Sequence, residues 1–173
     1  VRPGIEPNVL HLWTSRTSFL DSRGDWWILT GNKLYRFSGV REFSDLNRAA
    51  PTKTYTRDDG LKANGMFQMF EDSQNNIWMS TRGAEPSGHG VARLKNGENK
   101  FVTFSENDGL PDGKSASSYA EDKSGNIWMG FYEGGVARFD GTRFTFYGLA
   151  YGIPTGSNIT DLHIDTKGRL WIS

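Results

Sequence analysis

The stretch Asp122-Lys-Ser-Gly-Asn-Ile-Trp128 returns three more times, as Asp21-Ser-Arg-Gly-Asp-Trp-Trp27, Asp72-Ser-Gln-Asn-Asn-Ile-Trp78 and Asp165-Thr-Lys-Gly-Arg-Leu-Trp171. In every copy the Asp stands six positions before the Trp, and successive tryptophans are 51, 50 and 43 residues apart. Self-similarity at such a period marks a repeat architecture and outranks any local motif.

The phrase has a physical reading. Asp and Ser bond nearby backbone groups, and Gly or Asn tolerates positive φ, so Asp-x-x-Gly/Asn reads as a tight turn. The apolar run behind it, Ile127-Trp128-Met129 or Trp26-Trp27-Ile28-Leu29, is short, aromatic and β-branched, which predicts a strand. The residues before the Asp, such as Met66 to Phe70, supply the partner strand. Each phrase is therefore the turn between strands A and B of one unit.

With 173 residues, 36% apolar and 13% aromatic, the chain has material for an ordinary core, and 21 glycines against 6 prolines suit many turns between short strands. Twenty basic residues balance 20 acidic ones and no basic block occurs, which argues against nucleic acid or an anionic membrane as partner. The lack of Cys excludes disulfides, thiolate metal sites and a cysteine nucleophile. No apolar run approaches the roughly 20 residues of a membrane span. No signal-peptide pattern is seen, and a chain that starts at Val1 and stops just inside a repeat reads as part of something longer.

In order, residues 1–16 form an N-terminal segment with one edge strand at Asn8 to Trp13. A first unit and its connection occupy 17–59, with strands to Leu20, at Trp26 to Thr30 and Leu34 to Phe37, a weak fourth near Phe43, and a Gly31-Asn32 hairpin. The second unit (60–108) has strands at Met66 to Phe70, Ile77 to Thr81, Val91 to Leu94 and Phe101 to Phe104. The third (109–152) has them at Ser117 to Glu121, Ile127 to Phe131, Val136 to Phe139 and Phe144 to Tyr147, and a partial fourth covers 153–173. Strands such as Trp26 to Leu29 are apolar on both faces, so neighbours must cover both sides. Four-stranded antiparallel sheets stacked face to face at this period are propeller blades, about three and a half of them here.

The motifs Asp122 to Gly130, Gly134-Gly-Val-Ala-Arg-Phe-Asp-Gly141 and Asp108-Gly-Leu-Pro111 resemble the two-component regulator propeller repeat, which builds sensor regions of bacterial hybrid two-component proteins. The resemblance covers nearly all of the chain after residue 17. It implies a periplasmic or extracellular, ligand-sensing role and rings of about seven blades. Similar Asp-x-x-Gly-x-x-Trp blades occur in streptogramin-inactivating lyases. Three accounts fit three and a half blades: a fragment of a larger ring, a fourfold-like ring closed by the N-terminal strand, or two chains completing one ring. For a stable chain the homodimer is the expected one, because an open edge beside Trp171 invites association.

Propeller ligands sit at the end lined by the B–C and D–A loops. The A–B turns lie at the other end, so Asp21, Asp72, Asp122 and Asp165, with Trp27, Trp78, Trp128 and Trp171, are expected to be structural. The B–C loops vary most, and variation within a repeat is where function is placed. In the second unit Arg82-Gly-Ala-Glu-Pro-Ser-Gly-His89 is the candidate loop: Arg82 suits a carboxylate, sulfate or phosphate, and Glu85 and His89 suit hydroxyls. In the third, Phe131-Tyr132-Glu133 offers an aromatic platform for a sugar, against a plain packing role for Phe131. Lys62, Asn64, Lys114 and Asn158 join the rim from the D–A loops. The ligand expected is a small polar solute or an oligosaccharide.

Arg36, Arg93 and Arg138 recur in strand C, which favours a structural role such as pairing with an acid of the neighbouring blade. No cofactor or metal is expected, because His11, His89 and His163 lack metal-binding spacing and no Gly-x-Ser-x-Gly elbow occurs. His163 is expected to be a buried, satisfied histidine. A lyase needs a histidine and an acid converging at the loop end, and His89 with Glu85 or Glu133 is the pair on offer. The remaining reading is architectural, a half-propeller that self-associates into a closed ring.

Overall fold

The computed structural model describes residues 17–30, 33–61, 65–83, 90–154 and 156–173. Its strands fall in three four-stranded antiparallel sheets and one two-stranded sheet. They are β1 (Ser18–Leu20), β2 (Trp26–Thr30), β3 (Lys33–Phe37) and β4 (Lys53–Tyr55) in the first blade. The second holds β5 (Gly65–Glu71), β6 (Ile77–Arg82), β7 (Gly90–Leu94) and β8 (Phe101–Phe104). The third holds β9 (Ala116–Glu121), β10 (Ile127–Phe131), β11 (Val136–Phe139) and β12 (Phe144–Tyr147), and β13 (Leu162–Ile164) pairs with β14 (Leu170–Ile172) in the last. Each sheet is ordered as the chain runs, so every blade is a meander from an inner first strand outward. The Asn8 to Trp13 strand and the Gly31-Asn32 turn lie outside the described residues.

Local chemistry explains the turn before each second strand. Asp72 Oδ1 accepts from the backbone N–H groups of Gln74 (3.0 Å) and Asn76 (2.8 Å), while Oδ2 accepts from Trp78 Nε1 (2.7 Å) and Asn76 Nδ2 (2.8 Å). Asp21, Asp122 and Asp165 repeat the arrangement, with indole bonds of 2.9, 2.9 and 3.1 Å. The fourth turn position takes positive φ, as Gly24 (85°), Asn75 (63°), Gly125 (79°) and Gly168 (79°).

The blades pack through apolar layers. Trp27, Leu29 and Tyr55 of the first meet Met66, Ile77 and Met79 of the second. Trp78 and Val91 of the second meet Tyr119, Ile127 and Met129 of the third, and Val136 meets Ile159 and Leu162 of the last. Trp27, Trp78 and Trp128 thus each face the blade that follows. Polar clamps tie the same neighbours at the turn end: the Glu71 carboxylate accepts from Ser22 N–H and Oγ (both 2.8 Å), and Glu121 accepts from Ser73 N–H (2.7 Å) and Oγ (2.6 Å). In the last blade Ile164 occupies the glutamate's place, and Lys123 Nζ reaches Thr166 O instead.

Three expectations need correction. Phe43 does not begin the outer strand of the first blade. It opens a 3-10 turn (Phe43–Asn47), and the outer strand comes later as β4. The reason is the Phe43/Leu46 spacing: Leu46 is fully buried with Ile28, Tyr35 and Phe37, and Phe43 sits edge-on to Trp26 at 5.2 Å. His163 is exposed rather than buried, because Leu162 is the residue of β13 turned into the layer, which leaves His163 on the opposite face. The recurrent arginines do not reach a neighbouring blade's acid. Arg36 pairs with Asp25 of its own blade (Nε to Oδ2, 2.6 Å), whereas Arg93 lies over Trp78, Phe104 and Phe139 at 5.1–5.3 Å and Arg138 over Trp128 at 5.9 Å. Register dictates this, since Arg36, Arg93 and Arg138 stand directly opposite Trp27, Trp78 and Trp128.

Candidate functional site

At the loop end, three connections between blades share one design. Thr56 and Ser105 cap short 3-10 turns in capping boxes with Asp59 and Asp108, and each turn closes on a left-handed glycine, Gly60 (φ 93°) or Gly109 (φ 95°). The buried Leu61 and Leu110 follow and pin the entering chain to the apolar layer. The third connection, Leu149–Tyr151 closing on Gly152, follows the same course with exposed Leu149 and Tyr151 in place of the polar residues.

Against this frame, four of the rim residues read from the sequence come together between the second, third and last blades. Lys114 Nζ donates to the backbone oxygens of Glu133 (3.2 Å) and Gly134 (3.4 Å). Glu133 N–H donates to Asn158 Oδ1 (3.1 Å), and Glu133 O accepts from Gly156 N–H (2.9 Å). This set of bonds holds Glu133 at φ 70°, a left-handed conformation costly for a residue with a Cβ. The chain immediately before it presents Tyr132, half-buried, with its ring 5.7 Å from that of Phe67 in β5. Burial raises the Tyr132 phenol above its ordinary range. Phe131 is fully buried in the layer between blades, so packing rather than a ligand platform accounts for it.

Arg82 ends β6 opposite Gly65, is exposed, and makes no ion pair among the described residues. Glu85, His89, Lys62 and Asn64 lie outside the described residues, as does His11. Beneath the rim the two blades are joined by buried polar bonds: Ser80 Oγ to Tyr119 OH (2.8 Å) and Ser115 Oγ to Thr81 O (2.9 Å). Burial pushes the Tyr119 phenol well up, so it stays protonated.

The sequence reading does not single out Phe67, which meets Tyr132, or its neighbour Gln68. Their signal was present in Met66-Phe-Gln-Met-Phe70, where the two methionines and the two phenylalanines are each three apart, a spacing that a period-2 strand does not produce. The structure shows the cause as a β-bulge: Phe67 faces Ser80 and Met69 faces Met79, with Gln68 left over at φ 50°.

A cleft of about 190 Å³ opens at the opposite end, between the first two blades, over Ile77 and Leu94. Leu94 stands where the third blade has the larger Phe139, which accounts for the space. Its guanidiniums are already engaged: Arg36 by Asp25, and Arg23 by Asn96 Oδ1 (2.7 Å) and Asp21. Among the described residues no group of three or more His, Cys, Asp or Glu side chains is arranged for a metal, and no helix is long and apolar enough to cross a membrane.

The comparisons agree with this architecture. Residues 60–83 match the family model described as two component regulator propeller. No curated protein matches the chain. Among solved structures it is similar to the extracellular domain of BT3049 of B. thetaiotaomicron, described as a hybrid two component system, with 23% identity over 90% of this chain and 20% of that one, TM-score 0.68. It is also similar to the extracellular domain of BT4673 of the same organism, described as a one component system, at 16% identity over 87% of this chain and 24% of that one, TM-score 0.57. The chain thus spans about a fifth to a quarter of the structures it matches, and they establish its propeller fold.

Proposed function

We propose that the chain is part of a non-catalytic, ligand-binding propeller in the extracytoplasmic region of a bacterial two-component sensor. It binds a small polar solute or an oligosaccharide at the loop end, over the boundary between the second and third blades. The observation that carries the reading is the convergence of Lys114, Tyr132, Glu133 and Asn158 on one rim, with Arg82 exposed at the end of β6 and without an ion pair among the described residues. An aromatic ring beside a fork of guanidinium donors suits a hydroxylated ring bearing an acidic group. The family match at residues 60–83 and the likeness to extracellular domains support the sensory setting.

The test is the double variant Arg82→Ala/Tyr132→Ala, titrated calorimetrically against neutral and acidic trisaccharides. It should lose binding while its circular dichroism stays that of the native chain. Unchanged affinity would refute the site.

A further inference from the structure

Backbone strain in this chain is concentrated on the two sides of one aromatic contact. Only three non-glycine residues take positive φ among those described: Gln68 at 50°, Asn75 at 63° and Glu133 at 70°. Asn75 occupies the turn position where the other copies have glycine, so local turn chemistry explains it. The other two flank the pair formed by Phe67 and Tyr132, one beside each ring.

Gln68 has no comparable local explanation. It is the extra residue of a bulge in β5, and β5 is the inner edge of its sheet, bonded only to β6. The extra residue drops out of the β5–β6 ladder at that point. The bulge has a second effect on the side chains. Met66 and Met69 both turn into the layer shared with the first blade, while Phe67 meets Tyr132 and Phe70 stacks on Tyr119 at 5.9 Å, both in the third blade. Without the extra residue, strict alternation would send one member of each pair to the wrong face. The half-buried Gln68 amide forms no hydrogen bond among the described residues.

We infer that Gln68 is a specificity-determining contact of the loop-end site, its free amide reading the hydroxyls of a ring stacked beside Phe67 and Tyr132. This deepens the function proposed above and rests on it. Bulges and left-handed non-glycine residues gather at binding sites because the strain is retained for what it presents to a ligand. An amide can donate and accept at once, which suits vicinal hydroxyls.

The experiment compares the native chain with Gln68→Gly and with Arg82→Ala/Tyr132→Ala. Cellotriose, maltotriose, xylotriose and trigalacturonate serve as probes, with Kd from calorimetry and Tm from circular dichroism. Glycine takes positive φ freely, so Gln68→Gly should keep or raise Tm by a few degrees while weakening binding of the recognised trisaccharide at least tenfold. A fall in Tm would show that the Gln68 side chain serves the packing of the fold and would overturn the inference. Native affinity in Gln68→Gly, with binding lost in the double variant, would overturn the role of Gln68 and leave the site standing. Binding of none of the four probes by the native chain would overturn both.

Discussion

Each turn aspartate commits both carboxylate oxygens within six residues of itself, two backbone N–H groups on one and the indole N–H on the other. For Asp122, burial alone would raise the carboxyl, but the bonds from Trp128 and Asn126 outweigh it and hold the group below its usual range. Asp21 is lowered in the same way, with Trp27 as donor. Asp165 falls to about 2, chiefly through the backbone N–H of Arg169 and then the Trp171 indole. A carboxyl depressed in the folded state contributes stability above its unfolded pKa, near 4, and loses it as pH falls through the folded value. Asp122→Asn should therefore cost about 1–2 kcal/mol at neutral pH. The difference from the native chain should shrink as pH falls below about 4 in urea titrations followed by tryptophan fluorescence. A gap independent of pH would mean that the charge on Asp122 does nothing for the turn.

At the scale of the element, both the connections between blades and the turns within them depend on left-handed glycines, and these are not equivalent. A Cβ on Gly60 would lie 2.2 Å from the backbone oxygen of Phe101, at φ 93°, so strain and overlap both act. At Gly168, φ 79°, nothing lies within 4 Å, and strain acts alone. Gly60→Ala should cost about 3 kcal/mol or more, and Gly168→Ala about 1 kcal/mol. Equal costs from denaturant unfolding would refute the tight seat of Gly60 against β8. The strands themselves were legible in the sequence nearly residue by residue, because each is a short apolar run bounded by turn chemistry. The first blade's outer strand was not: the sequence suggests a weak strand near Phe43, whereas Phe43 and Leu46 share a helical spacing that matters only once a sheet face lies beneath it.

Across the whole molecule, apolar surface remains open at both extremes. Leu20 on the first blade is 48% exposed, and Trp171 and Ile172 on the last are 56% and 39% exposed. In the first two blades the corresponding tryptophans, Trp27 and Trp78, are buried by the blade that follows. The proposal that a second copy completes the ring predicts a dimer in light scattering that persists on dilution, and Trp171→Lys should shift it toward monomer. A native chain that stays monomeric at every concentration would refute it.

The sequence by itself determined the repeat, its phase, the identity of nearly every strand and the positions of the four turns. It could do so because an Asp–Trp pair six residues apart, a Gly or Asn in the turn and a short apolar run are local and recur without regard to what lies across the blade. Part of the candidate site was legible for the same reason, since Lys114, Tyr132, Glu133 and Asn158 occupy loops that any propeller turns to one end. Their bonding to one another was not legible, nor was the meeting of Phe67 with Tyr132, nor the Gln68 bulge between two correctly aimed pairs. Only the tertiary structure decided these, because they join residues tens of positions apart through the offset and rotation of one sheet on the next, which packing of the whole layer sets and no local pattern encodes.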